Sequence, residues 1–576
     1  MSDKLSSTID FVHTNGWYGS DGTHVRGDVF YKNEYLYGDD LVAHISQIET
    51  KSELVGFLKQ AYGRFAIVHT TTEGLHIASD YIRRYPLYYS INNPVVISDS
   101  SNVVHNHSPN AKFNATAASE YLFTSYVLAE ETLSTSVKQI QPGEVISFTN
   151  TKDGVTVEKE QYFSYVPIGT SQSINYEELD RVFDKIFDRI LKCADGRPII
   201  LPLSGGCDSR IIALKLADTG YENVVAYTGA RSEDSHDLVV GKQVADDLGF
   251  DHVTLTRSYD HYREFYESGE WEKFQEKFGF LSELPKSGAF MNINRLKEHP
   301  EIPDNGLVLH GHHGLVGGSK LPEWLADRSY ISEKEFLHFI WKHNYMRWTI
   351  DPLSKEERKL EKKLRERILN TLPVNIYEDR NKEPVAKAVG AVESFFWQNR
   401  FPKYNSLHYE LEGSGYDRWY PLADREYFEF LSEIDYTFRI NKKVQRQYAE
   451  YLANKLVENP SFTVDQFVSA TDTGFISGIG KDATEFLWDR SAVIIGNIPK
   501  PIEYLVKGTY YSLYGSANDV TLKPTLQLAP DSFLENIDLR VAHRRPLQLL
   551  MLYHDDHFTL EHHNILEKAL DGTNLL

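Results

Sequence analysis

Residues 197–216 read RPIILPLSGGCDSRIIALKL, and the order of these residues decides the fold of the larger part of the chain. Ile199 to Leu203 is an apolar run rich in β-branched residues, which predicts a buried strand. Ser204-Gly205-Gly206-Cys207-Asp208-Ser209 follows at once, and Arg210 to Leu216 has helical composition. The motif thus falls between the carboxyl end of a strand and the first turn of a helix, where unpaired N–H groups and the helix dipole favour an anion. Two glycines allow close backbone approach, and two serine hydroxyls add donors. Asp208 fits a phosphate nest only if a cation bridges it to the phosphates, and Mg²⁺ is the usual one.

Outward from this stretch, Tyr176 to Ala194 carries Leu179, Val182, Phe183, Ile186, Phe187, Ile190 and Leu191 on one 3.6-residue face. Asn223–Tyr227 and His252–Leu255 read as further buried strands, separated by a helix over Leu238–Leu248. Strands alternating with helices predict right-handed crossovers and a parallel sheet that binds its ligand at the carboxyl ends of the strands.

No G-K-[ST] follows the glycines, so this is not the kinase and GTPase loop. The stretch resembles instead the S-G-G-x-D-S pyrophosphate loop of the ATP pyrophosphatases, which split ATP to AMP and pyrophosphate while adenylating an oxygen. The resemblance implies ATP and Mg²⁺ as cofactors, contacts from Leu203, Ser204, Gly205, Gly206, Asp208 and Ser209, and Asp208 as metal ligand. It also implies that Thr228 and Gly229 hold adenine and ribose, with Tyr227, Asp234 and Asp237 near; a helix N-cap is the expected role of Asp237.

The phrases YGRFAIV, IASDYIRRYPLYY, YLFTSYVLAEETL and IQPGEVISF occur in that order in the first 160 residues. They resemble the glutaminase domain of asparagine synthetases, whose nucleophile is an N-terminal cysteine. Here position 2 is Ser2, the only cysteines are Cys193 and Cys207, and no Asn-Gly-Glu segment is present. Ser2 is either a hydroxyl nucleophile or an inert terminal residue. The fold is expected to persist without its chemistry.

Gly306 to Ser319, GLVLHGHHGLVGGS, places a short strand before a glycine-rich segment and resembles the family's second synthetase signature, S-G-E-G-A-D-E-L-F-G-G. His310 and Gly311 would then contact the nucleotide. Aligned on Gly311, the signature's carboxylates fall on His312, Leu315 and Val316, so one customary Mg²⁺ ligand is replaced and His312 stands at a catalytic position. Three histidines also admit a metal reading. Trp419-Tyr420-Pro421-Leu422-Ala423-Asp424 resembles the family's P-[FL]-x-D segment, with Asp424 expected to cap the next helix. Glu410 and Glu412 are either acceptor-pocket carboxylates or solvated ones. For the adenylate-stabilising lysine the candidates are Lys442, Lys443 and Lys481, of which Lys443 is adopted.

The whole chain has 576 residues, 41% hydrophobic and 25% charged, with a net charge of −21. That length predicts two or three domains. The charge argues against a nucleic-acid partner, and no apolar run reaches the roughly 18 residues of a membrane helix. Two cysteines and a polar N-terminus fit the cytoplasm. The expected fold is α/β: an αββα sandwich of the N-terminal-nucleophile type over 1–165, then over 176–455 a doubly wound parallel sheet like that of the adenine-nucleotide α-hydrolases. Helical C-terminal additions follow; residues 456–576 are an extension of unknown role, and the last 90 or so match nothing recognised. The implied activity is an ATP-dependent, AMP-forming carbon–nitrogen ligase acting on a small-molecule or peptide carboxylate, with a uronic-acid sugar favoured. A peptide cyclase, ordinary asparagine synthesis and a nucleotide-binding pseudoenzyme are the alternatives. Nitrogen would come as ammonia or an amine, with an ammonia-delivering or carrier protein as the potential partner.

Overall fold

The computed structural model describes residues 5–461 except 14–15, 109–110, 113, 125, 153, 231–234, several positions between 257 and 286, 312–320, 322, 342–354, 373–382, 406–408, 412–413 and 459. His312, Glu412 and Lys481 lie outside the described residues, as does the C-terminal extension from 462 onward.

The described residues up to Gln161 build two stacked sheets. In the larger, Gly154–Gln161, Glu144–Thr151, Leu75–Ser79, Tyr62–Thr70, Thr23–Tyr31 and Trp17–Ser20 follow one another across the sheet, and Glu34–Tyr37 pairs with Thr23–Tyr31. The smaller contains Ser7–Ile9, Val95–Ser98, Tyr88–Ser90 and Lys138–Gln139. The strand Tyr62–Thr70 explains the arrangement. Ala66 and Val68 point inward to meet Tyr89, Ile97 and Ile146 between the sheets, while Phe65 and Ile67 point outward under the helices Asp39–Ile45 and Lys51–Leu58. A strand covered on both sides must be apolar on both, so YGRFAIV reads as a continuous run rather than an alternating one. Helices outside two sheets make the αββα sandwich. The smaller sheet is not wholly antiparallel, because Ser7–Ile9 runs parallel to Val95–Ile97.

The second part is built on a five-stranded parallel sheet in the order Asp251–Thr256, Val224–Ala230, Ile199–Pro202, Leu307–Leu309, Asp417–Trp419. The strand that comes first in the chain is central, so chain order reverses beside it and a ligand crevice opens at its carboxyl end. Its side chains alternate between the two faces. Ile199 and Leu201 meet the helices Tyr176–Ala194, Cys207–Asp218 and Lys443–Leu456, whereas Ile200 faces Ile293 and Leu296 on Ser287–Glu298. Leu179, Phe183, Ile186, Phe187 and Ile190 are wholly buried along the first of these helices, and each such side chain stabilises the fold by about 1.5–3 kcal/mol.

A cluster of charges pins the helix that follows the loop. Lys215 Nζ, fully buried, lies 2.8 Å from Asp180, 2.6 Å from Asp184 and 2.8 Å from Asp218. Lys455 reaches Asp180 and Asp218 at 2.9 and 3.0 Å. Three helices are thereby tied at one point. Further helices at 333–339, 355–370 and 385–395 share a separate core with Tyr126 and Leu128 of the N-terminal sandwich.

Candidate active site

The loop Ser204–Ser209 leaves the central strand at the crevice. Gly206, in extended conformation (φ −79°, ψ 149°), stands at the N-cap of Cys207–Asp218, and no side chain caps that helix end. Its amides therefore remain available to an anion. The serines brace the turn: Ser204 N donates to Ser209 Oγ at 3.2 Å, and Gly206 N donates to Ser204 Oγ at 3.3 Å. Buried Arg210 donates to the Gly205 carbonyl at 2.9 Å and the Gly206 carbonyl at 3.4 Å. Because C=O and the following N–H point oppositely across a planar peptide, this turns the amides of Gly206 and Cys207 away from Arg210. Read as sequence, Arg210 is an ordinary helix residue; only its burial under the loop shows this use.

The neighbouring strand supplies the next contacts. Leu203 N donates to the Tyr227 carbonyl at 2.8 Å, and Thr228 Oγ1 donates to the Leu203 carbonyl at 2.7 Å. Having spent its proton there, Thr228 accepts from His252 Nε2 at 2.9 Å. Gly229 lies one residue on in the same strand. Asp237 is not a helix N-cap. Ser235 holds that position, and the Asp237 carboxylate instead accepts from Gly205 N at 3.0 Å. The reason is tertiary: the helix His236–Leu248 runs against the loop so closely that a methyl on Gly205 would stand 2.8 Å from His236 Nδ1.

From the other side, Gly311 lies flat on the loop. A methyl there would stand 3.1 Å from Ser209 N and 3.3 Å from its Cα. His310 N donates to the Trp419 carbonyl at 2.9 Å, and its ring centroid is 5.9 Å from that of Tyr420. Glu410 is paired with Arg418 at 2.5 Å. Asp424 is fully buried and caps the helix Arg425–Glu433 through Glu426 N at 3.0 Å, as expected.

The lysine brought to the loop is Lys442. Its Nζ lies 2.6 Å from Asp208 Oδ2, whereas Lys443 Nζ lies over the Phe438 ring at 4.6 Å. Asn441 and Lys442 both take left-handed backbone angles, φ 54° and 55°. Such angles cost a non-glycine residue of order 1 kcal/mol. They turn Lys442 back toward the loop, a fact that side-chain spacing in a helix could not reveal. Burial alone would lower the ammonium's pKa; the Asp208 carboxylate outweighs burial and holds it above its ordinary value. Among the described residues two other acidic groupings have ligand-like spacing, Asp28-Cys193-Asp417 and Asp180-Asp184-Asp218, but Arg64 and Lys215 already occupy their centres.

The loop thus lies at the switch point of a parallel sheet, with a carboxylate and an ammonium at its mouth and a two-sheet sandwich ahead of it in the chain. Residues 52–163 match the family model described as glutamine amidotransferase domain. The Microcin J25-processing protein McjC of Escherichia coli is 25% identical over 230 residues, which is 39% of this chain and 41% of that protein. Among solved structures, the NH3-dependent NAD synthetase of Campylobacter jejuni gives a TM-score of 0.20 at 17% identity, covering 35% of this chain and 90% of that one. The NAD+ synthetase of Burkholderia pseudomallei gives 0.19 at 15%, covering 27% and 69%. Over residues 52–163 the chain is similar to glutamine amidotransferase domains, and it spans less than half the length of the curated relative that it matches.

Proposed function

We propose that this protein uses ATP to adenylate a carboxylate and passes the acyl group to a nitrogen. The observation that carries the reading is the Asp208–Lys442 pair at the mouth of the loop. An anion nest has no use for a carboxylate unless a cation accompanies it, and here one side chain already holds that place. In the reaction the substrate carboxylate oxygen attacks the α-phosphorus of ATP, the α–β P–O bond breaks, and pyrophosphate leaves. A neutral amine or ammonia then attacks the acyl carbon, the C–O bond to AMP breaks, and the nitrogen loses a proton. The Cys207 amide at the helix N-terminus would bind the leaving pyrophosphate, and the Lys442 ammonium would offset charge at the phosphates. Asp208 suits Mg²⁺, being a hard oxygen donor already turned toward a cation; the metal would neutralise phosphate charge.

For the substrate, the likeness to a microcin-processing protein favours a peptide carboxylate over the uronic-acid sugar, although the match spans only 41% of that protein. The test is ATP–pyrophosphate exchange by the full chain over a panel of capped acidic peptides, uronate sugars and free aspartate. Peptide-dependent exchange is expected, falling at least about a hundredfold in Asp208→Ala while the protein stays folded. Exchange at the wild-type rate in that variant would remove the loop assignment.

A further inference from the structure

The sequence phrase IASDYIRRYPLYY ends in an arginine doublet that the amidotransferase reading leaves unused. The two members differ. Arg83 has a left-handed backbone (φ 54°) and lies 3.5 Å from the Glu283 carboxylate. Arg84 is 2% exposed, and its Nη2 meets no hydrogen-bond acceptor among the described residues. Its guanidinium lies over the Tyr420 ring, 4.7 Å from the centroid, where the N-terminal sandwich meets the edge strand of the parallel sheet.

The acids near it are committed elsewhere. Asp28 takes a bidentate pair with Arg64, which also holds Asp417 at 2.7 Å and donates to the Arg418 carbonyl at 2.9 Å. Charge is thus balanced locally, but Arg84 is short of oxygen acceptors. A buried guanidinium without them is costly, and a protein retains such a group where something else supplies the oxygens. Tyr420 connects the place to the synthetase crevice. It follows the edge strand, and its ring is 5.9 Å from His310, whose neighbour Gly311 lies on Ser209. Asp417, whose side chain keeps 34% of its surface exposed, marks where the seam between the two parts reaches solvent.

We propose that Arg84 is the anchor for a carboxylate of the substrate, received at the edge of the guanidinium as an in-plane, two-pronged N–H···O pair while Tyr420 stacks on its face. The N-terminal sandwich would then contribute a residue to substrate recognition. This rests on the ligase reading. Arg84 is a specificity residue, outside the adenylation chemistry itself. The same carboxylate could belong to a peptide side chain or to a uronic acid.

Isothermal titration of the full chain without ATP, using an end-capped glutamate peptide in one arm and glucuronate in the other, tests it. Wild type should bind one of the two. Arg84→Met should weaken that binding at least tenfold. Arg84→Lys, which keeps the charge but loses the planar fork, should weaken binding severalfold and covers the case in which Arg84→Met does not fold. The proposal is overturned if wild type binds neither probe, or if the variants bind like wild type and melt lower, which would make Arg84 a support for Tyr420. Absence of ATP–pyrophosphate exchange alongside Arg84-dependent binding would instead remove the ligase reading and leave the anchor standing.

Discussion

Asn441 and Lys442 carry the most informative backbone angles in the site. Two successive left-handed residues end a 3-10 turn and begin the helix Lys443–Leu456, and the second sends its side chain to Asp208. Strain of this kind persists where the surroundings over-determine it. Lys442→Gly is therefore expected to relieve about 1 kcal/mol of backbone strain while removing the ammonium. Urea unfolding should show stability unchanged or raised, and pyrophosphate exchange should fall by about a hundredfold. Loss at Lys443→Ala should be at least tenfold smaller, because that ammonium rests on Phe438. Equal losses at both positions would remove Lys442 from the chemistry. The pair also shows what a sequence hides. SGGCDS declares itself because strand, turn and helix are adjacent, and local punctuation suffices. Asn-Lys-Lys offers two equivalent cations, and a single φ angle chooses between them. In the same way Arg83-Arg84 reads as surface charge until tertiary packing buries it.

Among the secondary-structure elements, the loop is only as well placed as the helix behind it. That helix is fixed by hydrophobic contact and by Lys215 among Asp180, Asp184 and Asp218. Lys215→Met would leave the half-buried Asp218 and the buried Asp180 facing each other with only the more exposed Lys455 to offset them. The expected cost is about 3–5 kcal/mol, read as a lower urea midpoint with an unchanged slope. A cost under about 1 kcal/mol would mean that the cluster is solvated in solution. The helix Tyr176–Ala194 was legible because its apolar period is regular over 19 residues. The strands Ser7–Ile9 and Trp17–Ser20 were not, since each is short and half-exposed and is specified by a distant partner rather than by its own pattern.

Across the whole molecule, the N-terminal sandwich carries the amidotransferase-domain match, whereas the chain's two thiols both lie beyond it. Cys193 and Cys207 are both buried; burial pushes the Cys193 thiol up to about 12 and Cys207 well above its ordinary value. Neither is a thiolate at neutral pH. Glutamine should give no glutamate above background, measured on the full chain with and without ATP; glutamate formation lost on Ser2→Ala would restore a hydroxyl nucleophile. What the sandwich does supply is attachment. Lys403, fully buried, donates to the carbonyls of Val127 at 2.9 Å and Ala129 at 2.7 Å, and Asn399 accepts from Ala129 N at 3.0 Å. Gln141 Nε2 also donates to the Ala129 carbonyl at 2.7 Å, but the Val127 carbonyl leaves the ribosome 276 residues before the lysine that donates to it. During synthesis the sandwich can close its own sheets, but the Val127 carbonyl must stay hydrated until residue 403 emerges, so one step in completing the first domain waits on the translation of the second.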